Sequence, residues 1–545
     1  MIAIRDCRFE IGYKDSDIER VISKKLKGAP VKNWKIYKRS LDSRHKSDIH
    51  YVLTLYVNLV NPGKEEGLVK KINNKNVMLT KEIDYKFPHT LTAPICDEYR
   101  PVIVGAGPAG YFAALYLSEA GFRPIVIERG KPVEDRSIDV EAFWDGGNLN
   151  PESNVSFGEG GAGTFSDGKL YTGNKNKGGY FTEVLNAFHR FGAASEIIYD
   201  AKPHIGTDVL KSVIRNMREY IISKGGEVRF NTRLDSVERM SDDYRLYVSD
   251  KAKDGEIVRY ELITKTLILA IGHSARDTMR MLIDKGFCMH QKPYAIGLRV
   301  EHKRETIDRA MYGSLAGKLP AADYKLTYHA ENGRPVFSFC MCPGGYVVNS
   351  SSTPGHLAIN GMSYSGRDGE NSNTAMIVGI TPEDFTGDSP EDAIRYQEKL
   401  EKDFYDLEKG LIPVQRLEDF KTGTRTEELG RITPQIKGLY ALSEISHILP
   451  EEVRDALRES FESFGKTIEG YDDPDTILSG IESRTSSPVR INRDENMMAE
   501  NFPGILPIGE GAGYAGGITS AAADGIKAAE KAAEYISRKN GLIFN

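Results

Sequence analysis

The most restrictive feature of the sequence is the segment VIVGAGPAGYFAALYLSEAGFRPIVIERG at residues 102–130. A short apolar run is followed by GxGxxG, an apolar helix pattern, a second apolar run and an acidic residue. Glycines at this spacing permit a tight turn, close approach of the backbone to a pyrophosphate, and close packing of helix on strand. The residues predicted to bind a dinucleotide here are Gly105, Gly107, Pro108, Ala109, Gly110, Glu128, Arg129 and Arg136.

The acid at the end of this unit narrows the choice of ligand. Glu128 follows the second apolar run, where its carboxylate is predicted to accept hydrogen bonds from both hydroxyls of an adenosine ribose and to repel a 2′-phosphate. The N-terminus of the intervening helix offers free N–H groups and a partial positive charge to phosphates. NAD and FAD share the same ADP half, so this unit leaves both open.

A second glycine-rich segment lies about 400 residues later. In FPGILPIGEGAGYAGGITSAAADGIKAAEKAAEYI, an apolar strand again leads through glycines into a helix. NAD needs no such loop, whereas a flavin has a ribityl chain that needs an acceptor and a ring edge that becomes negative on reduction. We therefore predict FAD, with Gly509 and Glu510 at the ribityl chain. The N–H groups of Gly517, Ile518 and Thr519 are predicted to lie at the ring.

These two segments together resemble the FAD-containing oxidoreductases of the glutathione-reductase-like fold, although Glu510 replaces the more usual aspartate. The motifs AIGHSARDT, KPYAIGLRVEH and GIESRTSSPVRI further resemble a family of FAD-dependent dehydrogenases without a defined reaction. In the wider fold, a loop of small residues lies along the pyrophosphate and the flavin, and a small-residue strand end approaches the cofactor. The resemblance assigns these roles to Gly160, Gly161, Ala162, Gly163 and Thr164, and to Ala270 and Gly272.

Candidate catalytic residues are fewer. Lys169 could reach the ring edge or a substrate anion, His273 is expected to point toward the cleft, and Arg484 could bind a carboxylate or phosphate bidentately. A surface lysine, a polar turn and an ion pair are the respective structural alternatives. Cys340 and Cys342 could form a redox pair, but we expect structural cysteines. A CxC disulfide is strained, and the alternation of the surrounding strand suggests that one thiol points inward and the other outward. The cysteine spacing predicts no metal site.

The element pattern predicts an α/β protein with a Rossmann-type FAD-binding domain, an inserted α+β substrate domain and an N-terminal ferredoxin-like α+β module. The predicted domains are 1–90, then 98–286 together with 484–545, and 287–483 as the insertion. The N-terminal module is expected to run strand, helix, strand, strand, helix, strand, with its last strand over Val77–Tyr85. A turn is predicted at Asp254-Gly255.

Partners are constrained mainly by charge. The net charge of −6 favours no particular partner, but ten Lys or Arg residues against one acid lie between Arg20 and Lys46, so an anionic partner such as RNA must be considered. No neighbouring strand carries an aromatic RNA-stacking signature, so a nucleic-acid partner is not expected. No apolar run is long enough to span a bilayer, and a cytoplasmic location is expected. The oligomeric state is left open.

The function predicted from these features is an FAD-dependent oxidoreductase that transfers a hydride between the flavin and a small anionic organic substrate. Because no second GxGxxG follows a strand, any NAD(P)H would dock transiently in the substrate cleft. Two alternatives remain open at this stage. One is a flavoprotein that acts on RNA through the basic N-terminal module, and the other is a flavin-bound scaffold without turnover.

Overall fold

The computed structural model describes residues 1–173, 177–252 and 255–541. The strands are β1 Ile2–Phe9, β2 Val31–Asp42, β3 His50–Leu59, β4 Val77–Leu79, β5 Val102–Val104, β6 Ile125–Ile127, β7 Glu227–Arg229, β8 Thr232–Arg239, β9 Tyr244–Lys251, β10 Ile257–Thr264, β11 Leu267–Leu269, β12 Met289–Gln291, β13 Tyr294–Lys303, β14 Thr327–His329, β15 Pro335–Cys342, β16 Tyr346–Asn349, β17 Ile359–Met362, β18 Asn371–Ile380, β19 Ile412–Arg416, β20 Ile436–Lys437, β21 Tyr440–Leu442, β22 Ile477–Glu482, β23 Val489–Ile491 and β24 Ile505–Pro507. The α-helices are α1 Asp15–Lys25, α2 Glu65–Ile72, α3 Pro108–Glu119, α4 Val133–Trp144, α5 Tyr180–Arg190, α6 Thr207–Ser223, α7 Arg276–Asp284, α8 Arg304–Tyr312, α9 Pro390–Leu407, α10 Leu417–Thr422, α11 Glu451–Thr467 and α12 Ile518–Asn540. Asp254 of the predicted Asp254-Gly255 turn lies outside the described residues.

A parallel sheet of five short strands, in the order β24-β11-β5-β6-β7, carries the two glycine-rich segments. Its central strands are buried, which explains their continuous apolar sequence. Helices α3 and α12 pack closely on one another because their contact is made of small residues. A Cβ on Gly525 of α12 would lie 2.1 Å from the carbonyl oxygen of Ala109. The first and last glycine segments are therefore held side by side.

The N-terminal module forms an antiparallel sheet in the order β2-β3-β1-β4, with α1 and α2 between its strands in the chain. Ile4, Ile18 and Leu55 are buried in its core. The predicted last strand is too long, because β4 ends at Leu79. The chain then leaves the sheet, and the Tyr85 hydroxyl donates a hydrogen bond to Glu530 of α12 at 2.7 Å.

Several side chains of the basic N-terminal stretch are held in ion pairs. The Arg39 guanidinium binds Asp200 with contacts of 2.6 and 2.9 Å. Lys35 pairs with Glu82 at 2.6 Å. These contacts neutralise part of the positive charge that the sequence concentrates there, and the Arg39 pair fixes β2 to the body of the protein.

Residues between β11 and β24 build a second, mainly antiparallel sheet in the order β14-β15-β18-β13-β22-β19-β21. Because β11 and β24 pair directly, the chain leaves the parallel sheet, forms the second one and returns. The prediction of a mixed α/β fold is confirmed, while the proposed domain boundaries stay predictions. Among the described residues, no helix combines the length and apolar composition needed to cross a bilayer.

Candidate functional site: a cofactor cavity at the ends of the parallel strands

A cavity of about 440 Å³ lies at the carboxyl ends of β5, β6, β11 and β24. The loops after these strands contribute Gly107, Arg129, Gly272 and Glu510 to its lining, and the start of α12 closes the same side. Residues of β15 and β22, from the second sheet, form further wall. Ligands of open parallel sheets bind outside the carboxyl ends of the strands, so this is the expected place for a dinucleotide.

The first glycine loop has no room for a side chain at its turn. Gly105 has a φ of +104°, and a Cβ there would lie 2.3 Å from the carbonyl oxygen of Ala270. Helix α3 begins at Pro108, whose fixed φ suits the first helical position. The first turn of α3 lines the cavity, so its free N–H groups are available to a phosphate.

Glu128 lines the cavity and also ties three backbone segments together. Its Oε2 accepts the N–H of Ala106 at 2.8 Å, and its Oε1 accepts the N–H groups of Gly130 and Gly158 at 2.9 Å each. A carboxylate has about four acceptor positions, so about one is left for a ribose hydroxyl. The structure therefore gives Glu128 a role in shaping the loops, in addition to the ribose contact expected from the sequence.

Arg136 does not line the cavity and is not placed to contact a cofactor. Its buried guanidinium donates hydrogen bonds to the carbonyls of Asn154 and Val155 at 2.8 Å and of Glu159 at 2.6 Å. Burial lowers its pKa to about 10. The side chain thus fixes the loop 154–159, which leads into the small-residue segment beside the cavity, and we correct its expected role accordingly.

An ion pair fixes the backbone of the C-terminal glycine loop. Asp524 of α12 accepts the N–H of Gly509 at 2.8 Å, and its carboxylate binds the guanidinium of Arg493 at 2.9 and 3.0 Å. The Arg493 guanidinium also lies 3.7 Å from the centre of the Tyr514 ring. This pair fixes the backbone immediately before Glu510.

The half-buried carboxylate of Glu510 lines the cavity, and among the described residues no donor forms a hydrogen bond to it. Burial raises its pKa to about 7, and the nearby Lys292 ammonium opposes this shift. This carboxylate faces the cavity with its acceptor positions free, so a bound ligand can donate hydrogen bonds to it. A ribityl hydroxyl would supply the missing donor, so the residues present fit the flavin half of FAD.

Glu510 predicts a specific pH dependence of stability in the FAD-free protein. Its folded pKa of about 7 lies above the ordinary value of 4.5, so its contribution to stability is full below about pH 4.5 and is lost as pH rises through about 7. Glu510→Gln cannot ionise, so its melting temperature should gain on the wild type between pH 5 and pH 8. Thermal scans across this range measure the difference, with the exposed Glu495→Gln as control. A constant difference would contradict the assignment.

His273 and Arg484 line the cavity beside a buried ion cluster. Glu401 accepts hydrogen bonds from both Arg484 and Arg276, with contacts of 2.7 to 2.9 Å. The bidentate face of Arg484 is therefore occupied by Glu401, not open to a substrate carboxylate. Burial, with Arg484 and Arg276 adding to it, lowers the pKa of His273 to about 3, so the imidazole is neutral at physiological pH.

Lys169 lines the cavity as a paired but charged ammonium group. Its Nζ lies 2.9 Å from Asp167 and donates a hydrogen bond to the carbonyl of Met341. Although burial opposes the charge, Asp167 raises the pKa of Lys169. Asp167 also binds Arg367 at 2.6 Å, so one carboxylate faces two cations and the cluster keeps a net positive charge.

Most residues predicted from the sequence meet at this one cavity. Those that line it are Gly105, Gly107, Pro108, Ala109, Glu128, Arg129, Gly161, Ala162, Gly163, Lys169, Ala270, Gly272, His273, Arg484, Gly509, Glu510, Gly517 and Ile518. Those that do not are Gly110, Arg136, Gly160, Thr164 and Thr519. Gly110 packs against Gly105, and the Thr519 hydroxyl donates to the carbonyl of Leu170 at 2.7 Å.

Sequence reasoning missed the acidic residues that position this site. Asp524, Glu401 and Glu159 are single acids within or beside ordinary helix patterns, and nothing local distinguishes them. Glu159, for example, accepts hydrogen bonds from the Tyr111 hydroxyl at 2.6 Å and from Arg218 at 2.7 Å. Their partners lie far away in the chain, so no spacing rule could have identified them.

Comparison with known proteins decides the family. Residues 293–485 match the family described as "FAD-dependent protein, C-terminal domain-like", and residues 1–58 match a domain of unknown function. A protein of Clostridium beijerinckii, described as "Uncharacterized protein", is 44% identical over 520 residues, which cover 94% of this chain and 95% of that one. The chain belongs to this family of FAD-dependent proteins. Its cofactor is therefore FAD, as predicted.

Solved structures with some likeness to this FAD-dependent protein include CtdE in complex with FAD, at 12% identity and a TM-score of 0.32, covering 81% of this chain and 88% of CtdE. A flavoprotein/dehydrogenase from Cytophaga hutchinsonii has 13% identity and a TM-score of 0.31, covering 82% and 80%. Bound FAD supplies an isoalloxazine ring that exchanges electrons, so the general class of the protein is that of the oxidoreductases.

Proposed function

We propose that this FAD-dependent protein transfers a hydride between the flavin and a small anionic organic substrate. The observation that carries the proposal is the shape of the cavity, which continues from the FAD-binding loops to a wall formed by the second sheet. Phe339 and Glu482 line that wall, with Tyr324 near it. A substrate held there would lie between this wall and the flavin end of the cavity, which Glu510 and the start of α12 mark.

The charge of the substrate follows from the cations that line the cavity. Arg484 already donates to Glu401, Ser274 and Ser352, and His273 is neutral, so neither offers a free charged donor to the substrate. Lys169 stays protonated within a cluster of net positive charge. We therefore assign Lys169 to binding the substrate anion, and not to proton abstraction.

The assignment of Lys169 predicts a change in substrate binding without loss of cofactor. Lys169→Met should raise KM for an anionic substrate by about 10- to 100-fold, because a charge-assisted hydrogen bond contributes about 1.5 to 3 kcal/mol. The FAD content of the purified variant should match that of wild type. The exposed Lys318→Met serves as control and should leave KM unchanged. An unchanged KM in Lys169→Met would contradict the role.

The proposed reaction is tested by anaerobic reduction of the FAD-loaded protein. We mix the protein with NADH, with NADPH and with a panel of small carboxylate and phosphate metabolites. The absorption band of the flavin at roughly 450 nm is then followed. Bleaching by an organic donor, or reoxidation by an organic acceptor, supports hydride transfer. A flavin that exchanges electrons with none of them would reject it. If NAD(P)H reacts, we propose that it docks transiently in the same cavity.

We further propose that the partners are small molecules and not RNA. Arg39 and Lys35 of the basic stretch are already bound by Asp200 and Glu82, which leaves less free charge for a phosphate backbone. RNA binding that weakens steeply with salt and is lost on removal of residues 1–90 would contradict this proposal.

A further inference from the structure

The strand β15 ends in an irregular segment that contains two cysteines. Pairing of β15 with β18 slips in register between Phe339 and Cys342, and Cys340 has a φ of +44°. This left-handed conformation is uncommon for a residue other than glycine, and such strain concentrates at functional sites. Regular strand geometry was the basis for expecting structural cysteines here, and this segment does not have it.

Cys340 lines the cofactor cavity. The Cys342 thiol, two residues further on, is buried and donates to the carbonyl oxygen of Cys340 at 3.2 Å. Both thiols are free. One cysteine thus borders the cavity, and the sulfur of the second contacts the backbone of the first.

The surroundings of the pair favour a thiolate. Arg299 donates to the carbonyl oxygen of Cys340 at 2.9 Å and lies 3.8 Å from the Cys342 sulfur, while Lys169 donates to the carbonyl of the intervening Met341. The opposing carboxylates, Asp167 on Lys169 and Glu482 on Arg299, are each paired with these cations. The neighbouring Cys342 thiol, then the Lys169 and Arg299 cations, lower the pKa of Cys340 against the effect of burial.

The thiol of this segment and the flavin-binding loop share one cavity. Cys340 lines it together with Glu510, the carboxylate that we assign to the ribityl chain. Reactive cysteines are found in such electropositive and partly accessible surroundings, whereas structural cysteines are inert. Among the described residues, Cys340 is the only cysteine that lines the cavity.

We propose that Cys340 and Cys342 form a second redox centre that exchanges two electrons with FAD. In the oxidising direction the two thiols lose their protons, a sulfur–sulfur bond forms between them, and two electrons pass to the flavin. The protons go to solvent and to the reduced flavin. In the reverse direction reduced FAD supplies the two electrons, the sulfur–sulfur bond breaks and both thiols are restored. Cys340 is the exchanging thiol and Cys342 the resolving one.

Counting thiols in the FAD-loaded, full-length protein tests this proposal. The reduced protein should show five free thiols after denaturation, one for each cysteine of the chain. Mild oxidation with diamide should remove two of them, and the peptide that contains Cys340 and Cys342 should lose two hydrogens in mass. Anaerobic bleaching of the flavin by light and EDTA, without a thiol reductant, should restore both thiols. Cys340→Ser and Cys342→Ser should lose no thiols on oxidation, and the exposed Cys96→Ser should behave like wild type.

Three results would overturn the proposal. They are retention of all five thiols after oxidation, mapping of the lost thiols to other cysteines, and failure of the thiols to return when the flavin is reduced. If a serine variant does not fold, peptide mapping of the wild type still decides. Failure here leaves the proposed hydride transfer intact, because bleaching of the flavin by an organic donor does not require the thiols.

Discussion

Replacement of Glu401 by alanine is expected to lower the free energy of unfolding by about 5 kcal/mol, the upper end for breaking a buried ion pair. The reason is that one carboxylate pairs with two guanidinium groups, those of Arg276 and Arg484, and all three side chains are buried. Removal of Glu401 leaves two charges unpaired in the protein interior. The geometry of the cavity wall at His273 and Arg484 should be lost at the same time.

Chemical denaturation of the FAD-loaded protein, followed by far-ultraviolet circular dichroism, measures this effect. The matched control is Lys402→Ala, one position along α9. Lys402 is exposed, and among the described residues it forms an ion pair with Asp406 alone, on the same helix, so its removal should produce no measurable change. A loss of less than about 1 kcal/mol in Glu401→Ala would show that the cluster is not a buried charge network.

Arg136→Ala is expected to have the second large effect, about 4 kcal/mol, because it leaves several buried carbonyls of loop 154–159 without donors. FAD affinity should fall as well. If the binding of FAD must order this loop at a free-energy cost of about 3 kcal/mol, the dissociation constant for FAD rises about 100-fold. The loop leads directly into the segment 161–163 that lines the cavity.

Isothermal titration of the apoprotein with FAD measures this loss of affinity. Arg215→Ala is the control, because Arg215 is half-exposed on α6 and forms ion pairs with the surface residues Glu134 and Glu219. Arg136→Lys separates charge from geometry: it keeps the positive charge but cannot reach several carbonyls at once, so its FAD affinity should also fall. Wild-type affinity in both Arg136 variants would mean that the loop is ordered by other contacts.

The cofactor-binding loops could be predicted because the residues that determine their function lie close together in the sequence. The turn at Gly105, the start of α3 at Pro108 and the acid Glu128 each depend on spacing within one strand-turn-helix-strand unit. The second loop at Glu510 follows the same local logic, and the fold brings the two together through the pairing of β11 with β5 and β24. Local pattern and topology therefore agreed on the place of the cofactor.

The roles of individual charged residues could not be predicted, because their partners lie far away in the chain. Arg484 finds Glu401, 83 residues earlier in the chain, and Lys169 reaches the carbonyl of Met341, 172 residues away. Arg136 was assigned to the cofactor by its position after Glu128, but its long side chain turns inward to backbone carbonyls. Pairing at such separation depends on the tertiary fold and leaves no periodic signal in the sequence.

The cysteine pair shows a different limit. A regular strand was assumed for the segment around Cys340, and neither the register slip nor the positive φ of this residue can be read from FSFCMCPGG. β-Bulges of this kind depend on how two strands are matched along their whole length. The chemical potential of the pair became visible only with the structure.

The central claim is that a single FAD extends across the cavity from Glu128 to Glu510, and a crystal structure of the FAD-loaded protein tests it most directly. We predict one FAD per chain, with its adenosine ribose at Glu128, its pyrophosphate at the start of α3 and its ring at Gly517 and Ile518. An FAD bound in the reverse direction, or bound outside this cavity, would contradict the account.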